Sequence, residues 1–131
     1  MKNYSTLIEM ARLAQTNSYA PYSHFNVGAA LLCSDGTIYK GANVENSSYG
    51  ATICAERSAI SSAISDGKRE FVAMAIVGGA DMSEQDNVFP CGVCRQALAE
   101  LCDESFEIVI YVDKKPKIFK LGKLLPNGFK L

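Results

Sequence analysis

Apolar positions along this chain alternate between helical and extended spacing. From Tyr4 to Asn17 the residues Leu7, Ile8, Met10, Ala11 and Ala14 recur at helical intervals and leave Glu9, Arg12 and Gln15 to solvent, which predicts an amphipathic helix. Asn17 and Ser18 end it, and Pro21 forbids continuation. Asn26 to Cys33 then carries Val27, Ala29, Ala30, Leu31 and Leu32, the run of a buried strand. Ser34-Asp35-Gly36 turns the chain into a second strand through Ile38 and Tyr39. Cys54 to Asp66 repeats Ala55, Ala59 and Ala63 with Ile60 and Ile64 beside them, a helix stopped by Gly67 and carrying a cysteine in its first turn. Phe71 to Val77 is an apolar run short enough for a fully buried strand, and the polar loop Asp81 to Asn87 follows it. A further helix begins at Pro90 or Cys91 and runs through Ala97, Leu98 and Leu101 to about Cys102. Ile108 to Val112 is the next strand, Ile118-Phe119 a short edge strand after Pro116, and Leu121 to Leu125 one helical turn before Pro126. This order predicts an α/β fold, a mixed sheet covered by helices in layers.

Composition narrows the field of functions. The 131 residues fit one domain spanning 1–131, and a 48% hydrophobic content supplies a core. Thirteen basic residues nearly balance fourteen acidic ones, so no electrostatic footprint for nucleic acid or an anionic membrane is expected, and a small substrate is the better match. The start of the chain has no apolar run after Lys2, and no later segment reaches bilayer-spanning length, so a soluble cytoplasmic protein is expected. Five cysteines, an odd number without a secretory signal, disfavour a disulfide framework.

Those cysteines carry the chemistry. Cys91 and Cys94 lie three apart on one helical face, so both sulfurs can reach one metal at about 2.3 Å. That pair alone equally suits a thioredoxin-type redox site. Cys54, opening another helix, adds a third thiolate and shifts the balance to zinc, whose tetrahedral preference suits sulfur-rich sites. Three protein ligands are the informative number: structural sites usually close with four, whereas catalytic sites leave one corner for water. Cys102, eight residues past Cys94 and so about 12 Å along the same helix, cannot share that metal. Cys33 and Cys102 read as small buried hydrophobes, and the single histidine, His24, lies outside both cysteine segments. Glu56, two residues past Cys54, is favoured by the helix dipole in any event, but beside an open zinc corner it can move a proton between water and a substrate nitrogen. Arg57 is otherwise a solvated helix charge. Hydrogen bonds from it to thiolate sulfur would offset the negative charge of three thiolates on a divalent ion.

The Cys54-Ala55-Glu56 and Pro90-Cys91-Gly92-Val93-Cys94 segments match the signature of zinc nucleoside and nucleobase deaminases. Residues 20–31, from Ala20-Pro21-Tyr22-Ser23-His24-Phe25 onward, residues 41–46 (Gly41 to Asn46) and residues 124–129 (Leu124 to Phe129) closely resemble the short, three-cysteine cytidine deaminases, so the similarity spans the chain. The resemblance implies a three-layer α/β/α sandwich with a mixed central sheet, one Zn2+ per subunit, and conversion of cytidine or deoxycytidine plus water to the uridine product plus ammonia, a step of pyrimidine salvage. It implies that Glu56 protonates N3 and then the departing amine, that the Ala55 backbone and Phe25 meet the base, and that Asn43 and Glu45 hold the ribose, with Tyr49 nearby. It also implies a homotetramer in which Phe129 reaches a neighbouring site. Blasticidin-type deaminases share the size and three cysteines, but Asn43-Val44-Glu45 and Tyr22-Ser23-His24-Phe25 favour cytidine. Polynucleotide deaminases commonly place histidine before the glutamate and need a basic channel, neither of which is evident. A non-catalytic zinc or redox domain is the alternative from another class.

Overall fold

The structure, a computed structural model, describes residues 3–131. Its elements are α1 (Ser5–Gln15), β1 (Asn26–Cys33), β2 (Ile38–Ala42), α2 (Ala55–Ser65), β3 (Phe71–Gly79), α3 (Gly92–Leu101), β4 (Glu107–Val112), β5 (Lys115–Lys120) and α4 (Leu121–Leu124), with a 3-10 turn at Tyr49–Ala51. The five strands form one sheet in the order β2-β1-β3-β4-β5. Only β3 and β4 run parallel, and α3 provides the crossover that such a pair needs.

Alternation along the strands sorts side chains into two layers. Ala29, Leu31, Met74, Ile76, Ile108 and Ile110 point to one face, where they pack with Ala55, Ala59 and Ala63 of α2 and Leu98 of α3. Ala30, Ala75, Val77 and Val109 point to the other, beneath Leu7 and Ala11 of α1. Helices therefore cover both faces, giving the expected α/β/α sandwich around a mixed sheet.

Several boundaries differ from the expected ones. β2 runs on to Ala42 and β3 to Gly79, because pairing with β1 continues through small residues that strand propensity alone does not favour. β5 begins before Pro116 and includes it. On an edge strand a missing N–H costs no ladder bond if it faces outward. Gln15, expected at the surface, is 1% exposed: its Nε2 donates to the Asn26 carbonyl at 3.0 Å, and its Oε1 accepts from Gln85 at 3.2 Å. A buried amide with such partners satisfies itself, so polarity does not predict its side of the helix.

Gly41 sets the position of α2. A methyl group placed on it would lie 2.4 Å from both the Ala55 carbonyl oxygen and the Ala59 nitrogen, so only glycine lets the start of α2 approach β2. Gly41→Ala should lower stability by about 1–3 kcal/mol. Because the displaced turn adjoins Cys54, chemical denaturation should show this loss together with weaker zinc retention in a chelator titration.

Candidate active site

Cys54 and Cys91 are the N-caps of α2 and α3, one position earlier than a first-turn residue, and both have extended backbone angles. Neither makes a side-chain capping hydrogen bond, so neither sulfur is spent on capping at the positive ends of the two helices. Cys94 follows one turn into α3 and is fully buried. The three sulfurs lie within 4.8 Å of one another, with Cys54 and Cys91 3.9 Å apart. Tetrahedral bonds of about 2.3 Å place sulfurs roughly 3.8 Å apart, so the cluster fits zinc with little adjustment. Among the described residues no histidine, carboxylate or further cysteine joins this group. Cys33 and Cys102 sit instead in the core, as expected.

Charge around the thiols is arranged for metal binding. The neighbouring Cys94 thiol and then Arg57 pull Cys54 below the usual thiol range, while Cys54 and burial push Cys94 up. Arg57 Nη2 donates to Cys54 Sγ at 3.7 Å, and Cys54 followed by Cys94 holds the guanidinium charged. Arg57 thus lies against one of the three sulfurs. Glu56, 4% exposed, follows Cys54 by two residues, and burial pushes its carboxyl up to about 7. A carboxyl poised there can take and return a proton near neutral pH.

Three extended segments pair just before Cys54. Tyr19 bridges Val44, and Val44 bridges Ile53, which leads directly into Cys54. Asn43 and Glu45 flank that bridge and knit it to the 18–27 segment. Asn43 Oδ1 accepts from Val27 N at 2.9 Å and from Ser18 Oγ, and its Nδ2 donates to the Phe25 carbonyl at 2.9 Å. Glu45 Oε1 accepts from the Tyr22 and Ser23 amides at 3.0 and 3.1 Å, and its Oε2 accepts from Ser23 Oγ. Phe25 is half-buried near Val27 and Val88, against Gly78 at the end of β3. Ala55 is fully buried in the first turn of α2. Tyr49 lies on the 3-10 turn, 88% exposed. Phe129 is 66% exposed. It lies by the distal half of α3 with Ala99 and Cys102, and its carbonyl accepts from Gln96 Nε2 at 3.2 Å.

The family model for the cytidine and deoxycytidylate deaminase zinc-binding region matches residues 1–111. The chain belongs to this deaminase family. It is 46% identical over 125 residues to the cytidine deaminase of Sporosarcina psychrophila, covering 94% of this chain and 88% of that one. It is 45% identical over 124 residues to that of Halalkalibacterium halodurans, covering 94% and 91%. Among solved structures, the cytidine deaminase from Burkholderia pseudomallei superposes with a TM-score of 0.88 at 43% identity, covering 98% of this chain and all of that one. Membership of the deaminase family accounts for a zinc centre with three thiols and an adjacent glutamate in an enzyme that hydrolyses an exocyclic C–N bond.

Other features of this deaminase fold lay outside the expectations. Ser18 and Ser23 complete the hydrogen bonding of Asn43 and Glu45. Phe89 stacks edge-on against Phe119, with centroids 5.3 Å apart, just before Pro90-Cys91. Arg95, next to Cys94, sends its side chain back to the Pro90 carbonyl. The sequence signals that mark these residues are the position of Arg95 beside the ligand motif and that of Ser23 within Tyr22-Ser23-His24-Phe25.

Proposed function

We propose that this enzyme deaminates cytidine and deoxycytidine hydrolytically, in the cytoplasm, as a step of pyrimidine salvage. The observation that carries the reading is the buried carboxylate of Glu56 beside three clustered thiols with no fourth protein donor among the described residues. Cys54, Cys91 and Cys94 would hold a zinc ion, which would supply the Lewis acidity that polarises and acidifies a water. Glu56 would take one proton from that water and deliver it to N3 of the pyrimidine as the water oxygen bonds to C4, then take the second proton from that oxygen and give it to the amine, which leaves C4 as ammonia while the C4–O bond becomes a carbonyl. Burial favours both halves of this exchange, since it keeps the carboxyl readily protonated without forbidding its ionised form. Arg57 restores positive character to the thiolate cluster, which supports acidification of the water.

Phe25 and the Ala55 backbone line the base, and Asn43 and Glu45 hold the sugar, with Tyr49 at the rim. Asn43 keeps one Nδ2 hydrogen and Glu45 keeps acceptor capacity on its carboxylate after their internal hydrogen bonds, so a sugar hydroxyl can be added without breaking the loop. No large basic surface is needed for such a substrate.

The reading includes a homotetramer of 131-residue subunits, each a single domain, with Phe129 inserted into a neighbour's site. Tyr22, Tyr49, Val93 and Phe129 are each more than half exposed, a set of apolar groups suited to burial between copies. Phe129→Ala should raise KM for cytidine on the order of tenfold, equivalent to about 1.4 kcal/mol, with little change in zinc content. Steady-state kinetics and sedimentation on the same sample check both aspects.

Ammonia release from cytidine, deoxycytidine, deoxycytidylate and blasticidin S, measured in parallel, tests the substrate assignment. Turnover of the first two should dominate. Dominant turnover of deoxycytidylate or blasticidin S would replace the assignment, and inertness on all four would remove it.

A further inference from the structure

The three zinc ligands are held with unequal security. Cys54 caps a helix seated directly on Gly41, and Cys94 is fully buried within α3. Cys91 is exposed and ends a stretch, residues 84–91, that belongs to no helix or strand. Neither a ladder nor an intrahelical bond fixes the backbone just before it. Arg95 meets that need. Its Nε donates to the Pro90 carbonyl at 2.7 Å, and its Nη1 donates to the Leu124 carbonyl, in the last residue of α4, at 2.7 Å. Charge-assisted bonds of this length from a planar guanidinium fix both direction and distance. One half-buried side chain therefore joins the segment that presents Cys91 to the helix that begins the C-terminal tail. On the next residue, Gln96 Nε2 holds the Phe129 carbonyl farther along that tail.

We infer that Arg95 is a positioning residue, a latch that fixes Cys91 for zinc and ties the C-terminal tail to the same helix. The inference rests on the three-thiol zinc reading of the site but not on the identity of the substrate. Lysine retains the charge of Arg95 but lacks the fork that reaches two carbonyls at once, so charge alone does not replace it.

The test measures zinc release to a colorimetric chelator from the zinc-loaded protein, together with hydrogen exchange over residues 121–131. Arg95→Ala should speed zinc release at least tenfold and increase exchange in the tail. Arg95→Lys should fall between it and the wild type. Arg69→Ala is the matched control, because Arg69 Nη1 also donates to two backbone carbonyls, those of Ile64 and Lys68, at the end of α2. It should leave zinc release within twofold of the wild type. If Arg95→Ala does not fold, Arg95→Lys alone decides, and at least threefold faster release is required. Release within twofold of the wild type for the Arg95 variants, or equal acceleration by Arg69→Ala, would overturn the latch. A wild type that binds no zinc would instead remove the three-thiol reading beneath it.

Discussion

Glu56→Gln should reduce kcat for cytidine by at least about 10²–10⁴-fold, the contribution typical of a positioned proton-transfer group, while zinc stays bound. The amide matches the carboxylate in shape, so the 4%-exposed site is neither emptied nor overfilled. What disappears is the proton exchange. The sign of the accompanying stability change separates this effect from misfolding. Burial raises the carboxyl from its ordinary 4.5 to about 7 in the metal-free protein, so the fold binds this proton more tightly than the unfolded chain does. That contribution is present at low pH and is lost as pH rises from about 4.5 through 7. A neutral glutamine escapes the loss, and at pH 8 the metal-free variant should unfold at a denaturant concentration no lower than the wild type. Inactivity with undiminished stability and full zinc content identifies the proton path. Retained activity would assign the chemistry to another group.

Cys94→Ser should have an effect of similar size by a different route. Cys94 is fully buried with its sulfur within 4.8 Å of those of Cys54 and Cys91, and hard hydroxyl oxygen is a poor replacement for thiolate toward zinc. Metal content should fall from one per chain toward zero after brief chelation, and deamination should fall by more than about 10³-fold with it, since zinc both acidifies water and polarises the reacting centre. Cys102→Ser is the informative comparison. That thiol is 7% exposed in the hydrophobic layer by Phe106 and Leu121, and burial pushes it up to about 12, so it is a packing group and no ligand. Its replacement should cost some stability but leave zinc content unchanged. A variant that lost zinc through Cys102→Ser as readily as through Cys94→Ser would contradict the assignment. Atomic absorption on the purified variants, before and after chelation, gives the comparison directly.

The contrast between these residues shows how much of the site was legible in the chain. Cys54 with Glu56, and Cys91 with Cys94, are set by short-range spacing on helix starts, so their relation could be read without knowing the fold. Arg57 belongs to the same turn and was equally accessible. A mixed sheet with helical layers followed from the order of elements and from apolar periodicity, because Leu31, Met74 and Ile108 alternate with residues that face α1, whereas the strand order β2-β1-β3-β4-β5 came only with the structure. Tertiary approach was not accessible in this way. Nothing local to Gly41 announces that Ala59 will come within van der Waals reach, and Gln15 looks solvent-facing until Gln85, seventy residues away, arrives as its partner. Asn43 was singled out by the family resemblance. Its internal bonds to Phe25 and Val27, however, depend on a second segment folding across it. Arg95 illustrates the same limit: one of its acceptors is local, but the Leu124 carbonyl comes from the opposite end of the crossover and strand pair that follow. The start of α2 was placed one residue early and that of α3 one or two, because a cysteine that caps a helix and one that opens its first turn leave the same trace in the sequence.

Zinc-dependent deamination of cytidine is the central claim, and metal removal and return tests it most directly. The purified protein is stripped with a chelator, divided, and assayed for ammonia release from cytidine without metal, with one equivalent of zinc, and with one equivalent of magnesium as a hard-cation control. Activity should be absent in the stripped protein, return in full with zinc at one equivalent per chain, and stay absent with magnesium. Ammonia release that persists at the original rate in protein shown to be free of zinc, or that fails to appear when all three thiols have bound the metal, would contradict the account.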